Sequence, residues 1–247
     1  MRRRSSGNGT GVLSDSSIEA LLDKGLLSIV PRPKSDYVTG AAVDLRLNNV
    51  FLLPIRVKQP FIDPMVAITS ESYLQSITVP IGENFIIHPG EFILGSTYEY
   101  IEVPEFLLGK LEGRSSLARL GVLVHATAGK VDPGFKGRLI FELSNMGSVP
   151  VALYPLMRIA CIEFHTILGK VLRPYAGKYL AQPSTAGTKI FDDKDLDKIR
   201  GLKSALDEDR QEALRSLWGS GENSEKLLSE FGLVVQRKNH EKPGSQQ

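Results

Sequence analysis

The chain has a single cysteine, Cys161, among 247 residues, only four histidines and no long apolar run. Each scarcity removes a class of protein. One thiol excludes an internal disulfide and any multi-thiolate zinc site, so the fold rests on its own core, and a reducing cytoplasm is the expected compartment. No stretch reaches the roughly 18 to 20 apolar residues of a membrane-spanning helix, so no membrane partner is expected. The 30 basic and 28 acidic side chains leave a net charge of +2, too little for a protein that coats nucleic acid. Met1 to Thr10 carries Arg2, Arg3 and Arg4 but continues into Ser, Gly and Asn, not into the apolar core of a secretory signal. The familiar phosphate-loop, dinucleotide, zinc-protease and nucleophile-elbow motifs are missing. His88, His125, His165 and His240 are not spaced as metal ligands, and one cysteine cannot supply the thiolates of a zinc nucleobase deaminase.

What remains is the material of one ordinary domain, with 42% hydrophobic residues. Ser16 with Glu19 reads as a capping box, Ile18, Leu21 and Leu22 share a helical face, and Gly25 stands at a C-cap position. A first helix is therefore expected from Ser16 to Lys24. From Leu26 to Thr166 the signals become short apolar or alternating runs: Val43 to Leu47, Phe85 to Ile87, Phe92 to Leu94, Leu139 to Leu143 and Val151 to Leu153. His88-Pro89-Gly90, Asp132-Pro133-Gly134 and Asn145-Met146-Gly147 are the turns among them, because proline presets φ and glycine accepts positive φ. Many short strands with few helices between them predict a mainly β fold, a sandwich, jelly roll or distorted barrel. Beyond Phe191, Leu196, Ile199, Leu202, Leu206, Leu214 and Leu217 recur at near-helical spacing amid mixed charges, and Leu227, Leu228 and Phe231 suggest another helix after Ser224. The expected organisation is a disordered tail over 1–11, one β domain over 12–190 and a charged helical extension over 191–247 whose polar end, Gln236 to Gln247, is disordered.

Two places carry candidate chemistry. Arg114, Ser115, Ser116 and Arg119 set two guanidinium forks and two hydroxyls close together just after a glycine, a cluster suited to phosphate oxygens. On the motif alone an equally good reading has Ser115 capping a turn over Ser116 to Leu120, with both arginines solvated. In Leu139 to Ser144 the period of two puts Leu139, Phe141 and Leu143 on one face and Ile140 with Glu142 on the other. Enclosure would suit a carboxylate there to proton transfer near neutrality, whereas an open antiparallel face, the commoner arrangement, would leave it in water. Asp132 belongs to an ordinary Asp-Pro-Gly turn, Tyr175, Lys178 and Gln182 read equally as loop surface, and His125 reads as a structural histidine.

Taken together, these segments resemble the dCTP deaminase family, relatives of the trimeric dUTP pyrophosphatases. The resemblance runs through Leu13 to Ala20, Ser28 to Pro33, Ala42 to Leu47, His88 to Glu91, Glu112 to Gly121, Thr127 to Phe135, Glu142 to Asn145 and Tyr175 to Gln182. It implies a homotrimer of dUTPase-like jelly rolls with active sites at subunit contacts, hydrolysing dCTP to dUTP and ammonia without zinc. It places the general acid-base at Glu142, with Ser115 and Arg119 beside it. Arg114 and Ser116 would hold phosphate, Thr127, Asp132, Ile140 and Phe141 the sugar and base, and Tyr175, Lys178 and Gln182 the distal triphosphate with its Mg2+. Inhibition by dTTP is likewise implied. Leu156 departs from the family pattern by standing where relatives often have glycine, the link from Phe164 to Tyr175 is compact, and 191–247 has no counterpart. A bifunctional enzyme continuing to dUMP and pyrophosphate, and a non-catalytic trimeric nucleotide-binding protein, are the alternatives. A plain dUTP pyrophosphatase fits less well, because no glycine-rich phosphate-closing arm follows Lys178.

Overall fold

The computed structural model describes residues 11–55, 61–66 and 69–204. The tail expected before Gly11, the leucines beyond Ser204 and the helix expected after Ser224 lie outside the described residues. Gly11 itself is tied down: its N–H donates to Thr166 Oγ1 at 2.9 Å and its carbonyl accepts the Thr166 N–H at 3.0 Å.

Strands follow one another as β1 (Ser28–Val30), β2 (Val38–Thr39), β3 (Ala42–Arg46), β4 (Val50–Pro54), β5 (Leu74–Thr78), β6 (Phe85–Ile87), β7 (Phe92–Ser96), β8 (Tyr100–Glu102), β9 (Leu107–Gly113), β10 (Val122–Leu123), β11 (Lys130–Val131), β12 (Lys136–Gly137), β13 (Ile140–Asn145), β14 (Val151–Leu153) and β15 (Arg158–Thr166). Helix α1 (Asp15–Asp23) precedes them, the one-turn α2 (Ser115–Ala118) follows β9, and α3 (Lys194–Ser204) comes last. The mainly β reading with helices at both ends therefore holds. Two five-stranded sheets, ordered β10-β13-β7-β4-β5 and β11-β9-β15-β3-β2, carry the architecture, and among the described residues the strands do not close into a barrel.

Alternation decides which side chains form the core. Along β13 Phe141, Leu143 and Asn145 are buried while Ile140, Glu142 and Ser144 are half-buried. Phe141 joins Phe51, Phe164, Leu45 and Ile162 in the main apolar cluster, and Phe51 stacks on Phe85 with ring centroids 4.7 Å apart. Such burial is worth roughly 1.5 to 3 kcal/mol per large side chain before the entropy of ordering it.

Helix α1 begins one residue earlier than expected, capped by Ser14, whose hydroxyl accepts the Ser17 N–H. The Ser16–Glu19 capping box does not form, and Glu19 instead pairs with Arg32 at 2.8 Å. Gly25 does follow the helix in the left-handed region, at φ 64°. Leu156 has φ 69° in the turn Tyr154-Pro155-Leu156-Met157, closed by Met157 N–H to the Tyr154 carbonyl at 3.1 Å. That is the third position of a type II turn, where glycine is at ease and leucine is strained.

The chain divides into two compact units, Met1–Lys58 with Thr69–Thr188, and Gln59–Ile68 with Lys189–Gln247. In the second, the Arg200 guanidinium donates to the Met65 carbonyl at 2.9 Å, to Pro64 at 3.1 Å and to Phe191 at 3.0 Å. Residues 61–66, an excursion between β4 and β5, thus belong with the helical extension. Among the described residues no helix is long and apolar enough to cross a membrane.

Candidate active site

Strand β9 runs directly into the arginine-serine turn. The Arg114 N–H donates to the Ile159 carbonyl at 3.2 Å, and the Arg114 carbonyl accepts from Leu117 and Ala118. Arg114, not Ser115, is therefore the N-cap of α2, and Ser115 is its first helical residue. The capping alternative for Ser115 fails because the helix starts straight off the strand. Ser115, Ser116 and Arg119 are exposed, while the Arg114 side chain is a third exposed. Its Nε lies 3.8 Å from Asp44 Oδ1 and its Nη1 donates to the Arg158 carbonyl at 3.4 Å.

After α2 the chain turns at Gly121, φ 86°, and enters β10. A Cβ on Gly121 would sit 2.5 Å from the Gly147 nitrogen, so this turn packs directly on the one after β13. The Asn145 side chain, fully buried, braces that second turn by donating to the Ile87 and Val149 carbonyls and accepting the Gly147 N–H. Strand β10 then runs antiparallel to β13, Leu123 opposite Ser144.

This juxtaposition brings the next segment to Glu142. The Glu142 N–H donates to the Val124 carbonyl at 2.9 Å, and Glu142 Oε2 accepts the Ala126 N–H at 3.1 Å. In a single chain Glu142 is half-buried, opposite Leu94 and near Ile140 on the outward face of its sheet. Thr127, next along, is exposed. Ile140 shares the Glu142 face, but the Phe141 ring is wholly in the core and out of reach of a ligand.

A second group gathers around the Asp132 turn. Asp132 pairs with Lys130 Nζ at 2.8 Å, and Gly134 takes φ 84°. The Tyr175 N–H donates to the Pro133 carbonyl at 2.8 Å, and its ring packs on Phe135 at 5.7 Å between centroids. Tyr175 Oη accepts the Tyr179 N–H at 3.3 Å, and Lys178 Nζ stands 5.9 Å from the Tyr179 ring. Gln182 is buried beside Gly137, its amide donating to the Ser184 carbonyl at 3.3 Å, so its side chain is turned inward here.

Asp44 and Arg158 were missed as site-linked residues. An aspartate inside the apolar run Ala42 to Leu45 was the available signal, since carboxylates are rarely buried without a partner. Cys161, beside Asp44 and Glu112 in the sheet, has its thiol pushed up to about 11 by burial, then by the Asp44, Glu163 and Glu112 carboxylates, against the pull of Arg114. It is no ready nucleophile. Among the described residues no group of three or more His, Cys, Asp or Glu side chains converges as a metal site.

A family model described as dCTP deaminase-like matches residues 12–167. The chain belongs to the dCTP deaminase-like family. Over 192 residues it is 41% identical to a protein of Methanobrevibacter smithii named "dCTP deaminase, dUMP-forming", a match covering 76% of this chain and 99% of that one. It is 40% identical over 193 residues to a dCTP deaminase of Haemophilus influenzae, covering 74% and 99%. The crystal structure of the 2'-deoxycytidine 5'-triphosphate deaminase of Agrobacterium tumefaciens superposes with a TM-score of 0.50 at 23% identity, covering 64% of this chain and 49% of that one. That likeness concerns the fold alone. Within the dCTP deaminase-like domain lie the arginine-serine turn, Asp132 and Glu142, whereas Tyr175, Lys178 and Gln182 fall beyond the matched residues.

Proposed function

We propose that this protein hydrolyses dCTP to dUTP and ammonia, in the cytoplasm, at sites shared between the protomers of a homotrimer. The observation that carries the reading is Glu142, a carboxylate on the outward face of β13 with one oxygen held by the Ala126 N–H, in a chain about 40% identical to proteins named dCTP deaminases. With Oε2 so held, Oε1 is the oxygen that works on substrate.

Water adds to cytosine C4, the C4–N bond breaks and ammonia leaves. Glu142 takes one proton from the attacking water and delivers it to N3; it then takes the proton of the new C4 hydroxyl, as the C4 carbonyl forms, and gives it to the departing amine. Ser115 and Arg119 hold the water and the carboxylate in line, so that positioning lowers the barrier. Arg114 and Ser116 bind phosphate oxygens, and Lys178 with Tyr175 and Gln182 closes on the distal phosphates, whose Mg2+ arrives as part of the nucleotide. Asp132 accepts from the sugar hydroxyl, beside Thr127 and the main chain of Ile140 and Phe141. Self-association fits the face that carries Glu142: Phe92 is 45% and Leu123 41% exposed in one chain, and a second copy covering them would also enclose the carboxylate.

A second reading, release of dUMP and pyrophosphate, is favoured by the name "dUMP-forming" on relatives 41% and 42% identical. Incubation with dCTP and Mg2+ followed by chromatography separates the outcomes. Ammonia with dUTP supports the first, pyrophosphate with dUMP the second, and nucleotide binding without ammonia sinks both. Glu142→Gln is expected to keep nucleotide binding while kcat falls by at least about 1,000-fold, within the range of lost acid-base and positioning effects. Activity with Mg2+ is expected to survive a zinc-selective chelator. dTTP is expected to compete with dCTP.

A further inference from the structure

We infer that Asp44 is a positioning residue that aims the Arg114 guanidinium at the nucleotide's phosphates. The inference rests on the phosphate-binding role proposed for Arg114. Asp44 stands in the middle of β3, opposite Cys161 of β15, which in turn pairs with Glu112 of β9. Two registers therefore set it level with the end of β9, across the intervening β15, and β9 ends one residue before Arg114. Its side chain is only 10% exposed, and its two oxygens are divided between two arginines: Arg158 Nη1 at 3.0 Å from Oδ2 and Arg114 Nε at 3.8 Å from Oδ1.

The arrangement is built from behind. Arg158 lies over the Tyr37 ring at 4.8 Å, and the other side of the same cluster is Arg46, 5.6 Å from Tyr37 and 4.7 Å from Tyr98. Arg46 Nε in turn meets the buried Glu99 at 2.6 Å. Asp44 is thereby paired with an arginine whose guanidinium is backed by an aromatic ring. Stability alone does not explain the expense, because a buried ion pair gains little over a packed apolar pair. A fixed carboxylate on Nε does have a directional effect. Facing Nε across 3.8 Å, it draws that edge of the guanidinium electrostatically, and with Nη1 donating to the Arg158 carbonyl at 3.4 Å it leaves Nη2 as the end offered to a phosphate oxygen.

The test is a double-mutant cycle on the full-length protein, reading ammonia release from dCTP with Mg2+ in Asp44→Asn, Arg114→Ala and the double variant. Asp44→Asn is expected to raise KM for dCTP about tenfold with kcat within about threefold, and Arg114→Ala to raise KM at least as much, one charge-assisted contact being worth roughly that factor. In the Arg114→Ala background Asp44→Asn is expected to add nothing, because residues acting through one contact do not add. Additive rises in KM, or an unchanged KM in Asp44→Asn beside a raised one in Arg114→Ala, overturn the inference and leave the role of Arg114 standing. An unchanged KM in Arg114→Ala removes that role and the inference with it. Should Asp44→Asn fail to fold, Asp44→Glu, which keeps the charge and displaces it by one methylene, carries the same cycle.

Discussion

Cys161 and Leu156 test the physics of single residues. The Cys161 thiol, raised from an ordinary 9.0 to about 11 chiefly by burial, binds its proton more tightly folded than unfolded. The stability it lends is therefore complete below about pH 9 and is lost as pH rises towards 11. Urea unfolding should show the parent losing more stability than Cys161→Ser between those pH values, and folded protein should resist iodoacetamide at pH 8. At Leu156 the left-handed backbone tolerates glycine and punishes a β-branched side chain. Leu156→Gly is expected to stay within about 1 kcal/mol of the parent, while Leu156→Val loses roughly 1 to 3 kcal/mol in the same measurement. The departure at Leu156 was legible because the family resemblance sets a glycine at that turn. The partners of Asp44 were not, since Arg114 and Arg158 stand far along the chain, just after β9 and in β15.

Among the elements, the junction of α2 with β10 and β13 joins the arginine-serine turn to the glutamate strand. Its tight point is Gly121 against Gly147, where a methyl group on either residue meets main chain. Gly121→Ala is expected to cost about 2 to 4 kcal/mol, through both overlap and the forced positive φ, and to depress kcat by displacing the arginine-serine turn. Denaturation midpoints and steady-state rates check the two parts. The strand was readable because a half-buried sheet imposes a period of two. Helix caps were less so: Ser14, Ser16 and Ser17 are chemically equivalent candidates, and the choice of Ser14 goes with a tertiary bond, Asp15 N–H to the Gly40 carbonyl at 2.8 Å. The same holds at Arg114, whose N–H is claimed by Ile159 on another strand.

At the level of the whole molecule, the proposed shared active sites require that the two halves of the chemistry come from different chains. Light scattering is expected to give three times the 27.1 kDa of one chain. Inactive Glu142→Gln protein, unfolded and refolded together with inactive Arg114→Ala protein, is expected to regain a quarter or so of parental activity, by the general logic of closed symmetric oligomers. No recovery in mixed trimers would confine each site to one protomer. Motif order along the chain foretold the β domain, but not the union of 61–66 with 189–204, since no local pattern relates a loop to a helix so far downstream. That union through Arg200 has a hereditary consequence. The loop's carbonyls and the helix's guanidinium complete one another, so relatives are expected to inherit the pair jointly, and a lineage that sheds the terminal helix should shorten the β4–β5 connection as well.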